Sequence, residues 1–274
     1  MTCLITCTGR TPLGPQPREP FPGGITLMSF ARRQRTSYLA LAAAVALGLS
    51  ACSSGTPATT AKPSATIAVP TGNSADALLQ RSRINGAAAK SVRIKGTVTN
   101  GASGASKAVT AKIEIAGDVA GKNNLVVVND GTGVVEMLTV GGKTYRKADA
   151  AYWTKNYSAA YAKTLAGKYT LLSAASATAT GAPTVTGLLD QIFSSAKGQL
   201  STAVVKTKVN GVPAYLLTTK AKDTKIYVSA DGKTLLLRVE GSKGQKTVWD
   251  FSQWNTVPPA SAPAPAQLNV APSK

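Results

Sequence analysis

Cys52 is the only thiol after residue 7, and it closes the stretch Leu49-Ser50-Ala51-Cys52 at the end of an alanine-rich apolar run. A thiol does covalent chemistry as its thiolate, so a lone cysteine in such a setting asks what it is joined to. The other two cysteines, Cys3 and Cys7, lie at the start of the 274-residue chain, and no disulfide framework can brace the residues beyond Cys52. There is no histidine, which removes the commonest general base and zinc ligand. Ser194-Ser195-Ala196-Lys197 has the Ser-x-x-Lys spacing of penicillin-interacting enzymes, but the partner Ser-Asp-Asn and Lys-Thr-Gly motifs are absent. It reads as the end of a helix. Gly-Lys-Thr follows Gly141 and Asp231, yet the glycine a phosphate loop needs five positions before Gly142 or Gly232 is Met137 or Tyr227. The carboxylates stand singly along the chain, without the clustering of a metal site or a glycosidase pair. The expectation is no enzyme, no metal and no cofactor. Glu136 stands apart, because it sits in an apolar strand and would need a basic partner if it faced inward.

The surroundings of Cys52 answer the question it raises. Ala31-Arg32-Arg33-Gln34-Arg35 is a positive cluster, Tyr38 to Leu49 is mostly apolar, and Leu49, Ser50 and Ala51 supply small and apolar residues before the cysteine. That is a secretory signal whose apolar run is too short to span a bilayer. Leu49-Ser50-Ala51-Cys52 resembles the bacterial lipobox, in which the thiol takes a diacylglyceryl group and the signal is cut just before it. Two acyl chains, each contributing about 0.8 kcal/mol per buried CH₂, hold a protein at a membrane where one would be marginal. Arg32-Arg33 raises twin-arginine export, but the residues after it fit that route poorly, and the choice between it and general secretion stays open.

The chain divides into five segments. Residues 1–27 read as an upstream leader that is not used, with Met28 as the working start and a real extra leader as the alternative. Residues 28–51 are the lipoprotein signal peptide. Residues 52–73, a Ser, Thr, Ala and Pro mixture, cannot bury enough surface to order themselves and form a tether. A flexible chain of that length spans about 25 Å. Residues 74–257 are the folded domain, and 258–274 are a Pro/Ala-rich tail of extended polyproline type.

Within the domain the apolar pattern has mostly period two. Val92, Ile94 and Val98 alternate with Arg93, Lys95 and Thr97, and Val109, Ala111, Ile113 and Ile115 alternate with polar neighbours. Leu125 to Val128 and Val134 to Val140 are more continuously apolar, as central strands are. Asp130-Gly131, Gly141-Gly142, Asn210-Gly211 and Asp231-Gly232 each separate two strand-like runs and supply the positive φ of tight hairpins. Further strands are expected over 206–209, 214–219, 225–229, 234–240 and 247–251. Helices are expected over 75–89, 158–166 and 184–197, the last with Val185, Leu188, Leu189, Ile192, Phe193 and Ala196 at three-four spacing. The fold class is therefore α+β, an antiparallel sheet with helices laid on one face.

These elements, in this order, resemble the LppX/LprG-type lipoproteins of actinobacteria, whose domain is similar to that of the LolA carrier. The resemblance is carried by the lipobox at Cys52, by ALLQRSRINGAAAKSVRIKGTVT as first helix and strand, and by GGKTYRKADAAYWTKNYSAAYAKTLAGKYTLL as hairpin, tryptophan strand and short helix. PTVTGLLDQIFSSA as a second helical insertion and VWDFSQWNTVPPASAP as a closing strand complete it. It covers roughly residues 74–263, is one of layout, and includes no catalytic motif. It implies a curved antiparallel half-barrel whose concave face is covered by a few helices, with an apolar cavity that takes acyl chains. Aromatic residues make up 5% of the chain, so the core is built from Ala, Val, Leu and Ile, which leaves room for a cavity and packs solid equally well. The expected lining is Val185, Leu188, Leu189, Ile192 and Phe193 of the last helix with Trp153, Tyr161 and Leu165. Tyr152, Trp153, Tyr157 and Tyr161 are the one aromatic concentration, read as core anchors with a cavity lip as the alternative.

Lys and Arg number 31 against 12 Asp and Glu, a net charge of +19; from Cys52 onward the balance is 26 to 11, or +15. Such an excess favours anionic surroundings. Export removes nucleic acid as a partner, and the basic residues are dispersed along strand faces rather than interleaved with stacking aromatics. The functional expectation is a monomeric lipoprotein on the outer leaflet of the cytoplasmic membrane, facing the cell wall, that binds or carries lipid or another amphiphile. The alternative is a non-carrier envelope adaptor or sensory module binding a protein or an anionic wall polymer.

Overall fold

The computed structural model describes residues 71–100, 108–242 and 245–269; the signal segment, the lipobox and Cys52 lie outside them. The elements in chain order are α1 (Ala75–Ala88), β1 (Ser91–Asn100), β2 (Val109–Asp118), β3 (Asn124–Asn129), β4 (Val134–Val140), β5 (Lys143–Ala148), α2 (Ala150–Asn156), α3 (Ala159–Leu165), β6 (Thr170–Leu171), α4 (Ala174–Ala179), α5 (Val185–Ala196), β7 (Leu200–Val209), β8 (Val212–Thr219), β9 (Thr224–Ser229), β10 (Leu236–Gly241) and β11 (Gln245–Ser252). The eleven strands form one open antiparallel sheet in the order β6-β5-β4-β3-β2-β1-β11-β10-β9-β8-β7. Each half is a meander of neighbouring strands, with α2 and α3 inserted between β5 and β6, and the halves meet where β1 pairs β11, Ile94 opposite Phe251. The result is an α+β curved sheet with helices on one face.

Register separates the two faces. On the inner face Ile94, Ile115, Val126, Met137 and Arg146 stand opposite one another in turn across five strands. One pleat along, Gly96, Trp249, Val239, Ile226 and Leu217 continue the same face into the other half. Apart from Arg146 and the two-sided Gly96, these side chains are buried. Gly96 has a steric reason: the Trp249 indole lies across it, in the space a methyl group would occupy. The middle of the outer face is polar and its charges alternate across the strands, Arg238, Asp250, Lys95 and Glu114 standing side by side. Arg238 Nε donates to Asp250 Oδ1 at 2.6 Å, and Arg93 pairs with Glu114.

The helices start where short polar side chains cap them. Ser74 Oγ accepts from Ala77 N, and α1 buries Ala75, Leu78, Leu79 and Ser82 as its spacing predicts. Thr184 caps α5, whose stripe of Val185, Leu188, Leu189, Ile192, Phe193 and Ala196 is buried throughout, while Thr186 ties it to the sheet end by donating to Val119 O at 2.6 Å. Two helices depart from the sequence-based expectation. Tyr152 and Trp153 are strand formers by propensity, yet 150–156 is helical and not a tryptophan strand. Asp149 accepts from Tyr152 N and fixes the first turn. α4 has no apolar stripe to announce it; the Ser173 cap begins it. The strand expected over 234–240 starts only at Leu236, because Thr234 takes φ 52°.

The first described part of the Pro/Ala-rich segment, 258–269, runs back onto the outer face. Tyr169 N donates to Gln267 O and Asn269 N to Tyr169 O, both at 2.8 Å, and Ala260 and Leu268 pack on Leu138, Tyr145 and Tyr169.

Candidate functional site

Two features meet on the inner face of β3, β4 and β5. The first is a half-open cleft of about 290 Å³ between the sheet and the segment from α4 to the start of α5. Its floor is Asn124, Val126, Met137, Thr139 and Thr144, and its cover is made of small residues, among them Ala177, Thr178, Gly181 and Ala182. Thr139 and Thr144 share a hydrogen bond of 3.2 Å between their hydroxyls. Asn124 is 6% exposed and its Oδ1 is buried without a partner. Gly117 of β2 faces Asn124 in register, and a side chain on Gly117 would run into the Asn123 carbonyl and the Asn124 backbone.

The second feature is a cluster of rings around one cation. Asp149 places it: its carboxylate accepts from Tyr152 N at 2.8 Å and from Val134 N at 2.9 Å, while its own amide donates to Val134 O. This clamps α2 against the start of β4, so closely that Gly133 has no room for a Cβ beside Tyr152. Trp153 is thereby carried to the interior, 1% exposed, over Ala148 and Ala162. Tyr152 meets it edge-on at 5.4 Å and Tyr157 lies 5.1 Å away. The Arg146 guanidinium sits 4.9 Å from the Trp153 ring centre and 5.9 Å from that of Tyr157, a cation held on π faces. Burial, then the neighbouring Tyr157, push the Tyr152 hydroxyl above its ordinary pKa, with Arg146 acting the other way.

The eight residues expected to line a cavity fall into two sets. Val185, Leu188, Leu189, Ile192 and Phe193 are buried along α5. Trp153 and Leu165 pack together around Ala162, and Tyr161, 51% exposed, stacks on Trp153 at 6.4 Å. None of the eight lines the cleft, although Thr184 at its edge caps the helix that carries the first set. Of the aromatic group, then, Trp153 anchors the core and Tyr161 faces solvent. Arg146 and Asn124 were not among the expected site residues. Arg146 lies in a run of polar residues, Lys143 to Lys147, whose inward phase is set only by the pairing of Met137 with Arg146.

Glu136 faces outward and finds its basic partner there: Lys147 Nζ lies 2.7 Å from Glu136 Oε2, and Tyr169 donates its hydroxyl to the same oxygen. Ser194 Oγ donates to Gln191 O within its own helix, and Lys197 is the C-terminal cap, so the Ser-x-x-Lys spacing falls at a helix end. Gly141-Gly142 and Gly232 are turns with positive φ. Among the described residues no three His, Cys, Asp or Glu side chains gather as metal ligands, and no helix is long and apolar enough to cross a membrane.

No family model matches the chain and no curated protein matches it. The solved structures it resembles include LprF, LppX and a LolA-superfamily protein. LprF from Mycobacterium bovis is 14% identical with a TM-score of 0.43, over 70% of this chain and 96% of that one. The lipoprotein LppX of Mycobacterium tuberculosis is 15% identical with a TM-score of 0.36, over 66% of this chain and 96% of that one. The LolA-superfamily protein from Nitrosomonas europaea is 9% identical with a TM-score of 0.25, over 66% of this chain and 92% of that one. At such identities and TM-scores the likeness carries no argument about a ligand or a role.

Proposed function

We propose that this chain is an envelope lipoprotein, anchored through acylated Cys52 to the outer leaflet of the cytoplasmic membrane, whose domain binds an amphiphile against the inner face of its sheet. The supporting observation is the cleft between β3–β5 and the α4 segment, with an apolar patch of Val126 and Met137 in its floor and no bulky side chain in its cover. Its volume is at the small end of ligand pockets, which run from about 300 Å³ upward. A long acyl chain needs more room, and α4, a helix of six residues, is the part of the cover expected to yield. Entry is passive partition from the bilayer, and direction comes from whatever partner receives the ligand. The charge of +15 beyond the signal favours an anionic membrane. The role is binding and not catalysis.

A fluorescent fatty acid titrated into full-length protein carrying Cys52→Ala tests this. Saturable uptake, competed by unlabelled fatty acid and weakened at least fivefold by Ala177→Trp, is expected. No uptake by the folded protein contradicts it.

One observation favours the second reading, an adaptor. β7 is an edge strand of ten residues with Val205 54% exposed and Lys206 and Lys208 beside it, a surface to which a partner strand can add. Loss of pull-down of an envelope protein on Val205→Pro, with fatty-acid uptake unchanged, would assign that partner to the edge.

A further inference from the structure

Buried polar groups are nearly always hydrogen-bonded, and one that is not has given up its hydration without compensation. Three such atoms cluster on the inner face beside the cleft. Arg146 Nε is buried without a partner, as is Trp153 Nε1, on the ring the guanidinium lies against. Thr170, directly opposite Arg146 across β5 and β6, has a buried Oγ1 without a partner. The first two can only donate, and a threonine hydroxyl can donate as well. One acceptor placed among them could meet all three unpaired atoms.

The cluster lacks an anion. Among the described residues no carboxylate lies within ion-pair distance of Arg146, and the polar contact of its Nη1 is a 3.5 Å approach to the Tyr157 hydroxyl. On the outer face, by contrast, Glu136, Arg238 and Asp250 each have a counter-charge beside them. Arginine cannot shed its charge to relieve burial. Aromatic faces compensate part of that, but they offer no lone pair in the plane of the guanidinium.

We infer that Arg146, Trp153 Nε1 and Thr170 form a site for an oxyanion, the carboxylate or phosphate of an anionic amphiphile. This rests on the proposed amphiphile binding and narrows it to a head-group class. Geometry supplies the continuity. Met137, opposite Arg146 in register, and Thr144, two residues before it on the same strand face, both line the cleft. None of Arg146, Trp153 and Thr170 lines the cleft itself, so a head group at Arg146 sits beside it, next to Met137 of its apolar floor. A fork of guanidinium donors takes two oxygens of a carboxylate or phosphate at once, which an alcohol cannot match.

The test is isothermal titration of the full-length Cys52→Ala chain with dodecanoate, dodecyl phosphate, dodecanol and inorganic phosphate. The two anionic amphiphiles are expected to bind at least tenfold more tightly than dodecanol, and Arg146→Gln to bring all three within about twofold of one another. The ratio between dodecanoate and dodecyl phosphate tells which oxyanion the site prefers. Because Arg146→Gln can fail to fold, the indole N–H resonance of Trp153, assigned with Trp153→Phe, is followed in the unsubstituted ring cluster. It should shift with dodecanoate and not with dodecanol. Equal binding of acid and alcohol, with a still indole resonance, overturns the oxyanion site while the amphiphile reading stands. Binding of inorganic phosphate with the indole shift but of no amphiphile keeps the site and overturns the amphiphile reading. No binding of any probe overturns both.

Discussion

The Tyr169 hydroxyl donates to Glu136 Oε2 at 2.8 Å, and the Lys147 ammonium, 2.7 Å from that oxygen, lies 4.8 Å from the centre of the Tyr169 ring. Burial first, and then the hydrogen bond to Glu136, push the Tyr169 hydroxyl up to about 12. The native state thus holds this proton more tightly than the unfolded chain, whose tyrosines titrate near about 10. The contribution to stability is complete below pH 10 and is lost as the pH rises through about 12. Tyr169→Phe is expected to cost about 1.5 to 3 kcal/mol at neutral pH, as a hydrogen bond to a charged group. It should also show a shallower fall of the urea midpoint between pH 9 and 12 than the parent. Parallel pH profiles would contradict the assignment.

The same tyrosine receives the returning chain. Residues 258–269 carry no strand pattern, so their docking through Gln267 and Asn269 to the Tyr169 backbone depends on a bridge to a residue nearly a hundred positions earlier. Ending the chain after Val257 should expose Leu138 and Tyr145 and lower the thermal midpoint. Amide exchange at Tyr169 should rise at least tenfold, since both of its backbone partners leave.

Gly96→Ala places a methyl where the Trp249 indole lies. Overpacking of this kind costs about 1 to 3 kcal/mol. Chemical denaturation of Gly96→Ala, Trp249→Leu and the double variant should show coupling, the second substitution relieving the first. Additive losses would mean the indole is free to move aside.

Asp149→Ala removes both the α2 cap and the brace to Val134 N, a loss of about 1 to 2 kcal/mol for the cap alone. Near-ultraviolet circular dichroism is expected to weaken, because Trp153 and Tyr157 are held against each other by that helix. Asp149→Asn should keep most of the signal, since the amide oxygen can still accept from Tyr152 N.

Local signals carried a large part of this fold in advance. Gly141-Gly142 and Asn210-Gly211 mark hairpins because left-handed φ is a backbone demand that few residues meet, and the α5 stripe is legible because one helix face meets one sheet. Non-local facts were not legible. Tyr152 and Trp153 have the propensity of a strand, and only Asp149, clamping both Tyr152 N and Val134 N, makes them helical. Arg146 looks like any lysine-flanked strand residue until Met137 pairs with it and turns it inward. The cleft, too, is bounded by Ala177 to Thr184, a stretch without periodicity, and not by the apolar stripe that drew attention to α5. The Pro/Ala-rich composition of 258–269 gave no hint of a docking site, because its partner Tyr169 is distant in sequence.

Native mass spectrometry of the full-length Cys52→Ala chain, purified without added lipid, tests the amphiphile-binding claim most directly. The account predicts a stoichiometric adduct with the mass of an anionic amphiphile, released by solvent extraction and absent from the folded Ala177→Trp variant, whose cleft is filled. A bare protein mass, or an adduct retained at the same occupancy in Ala177→Trp, would contradict it.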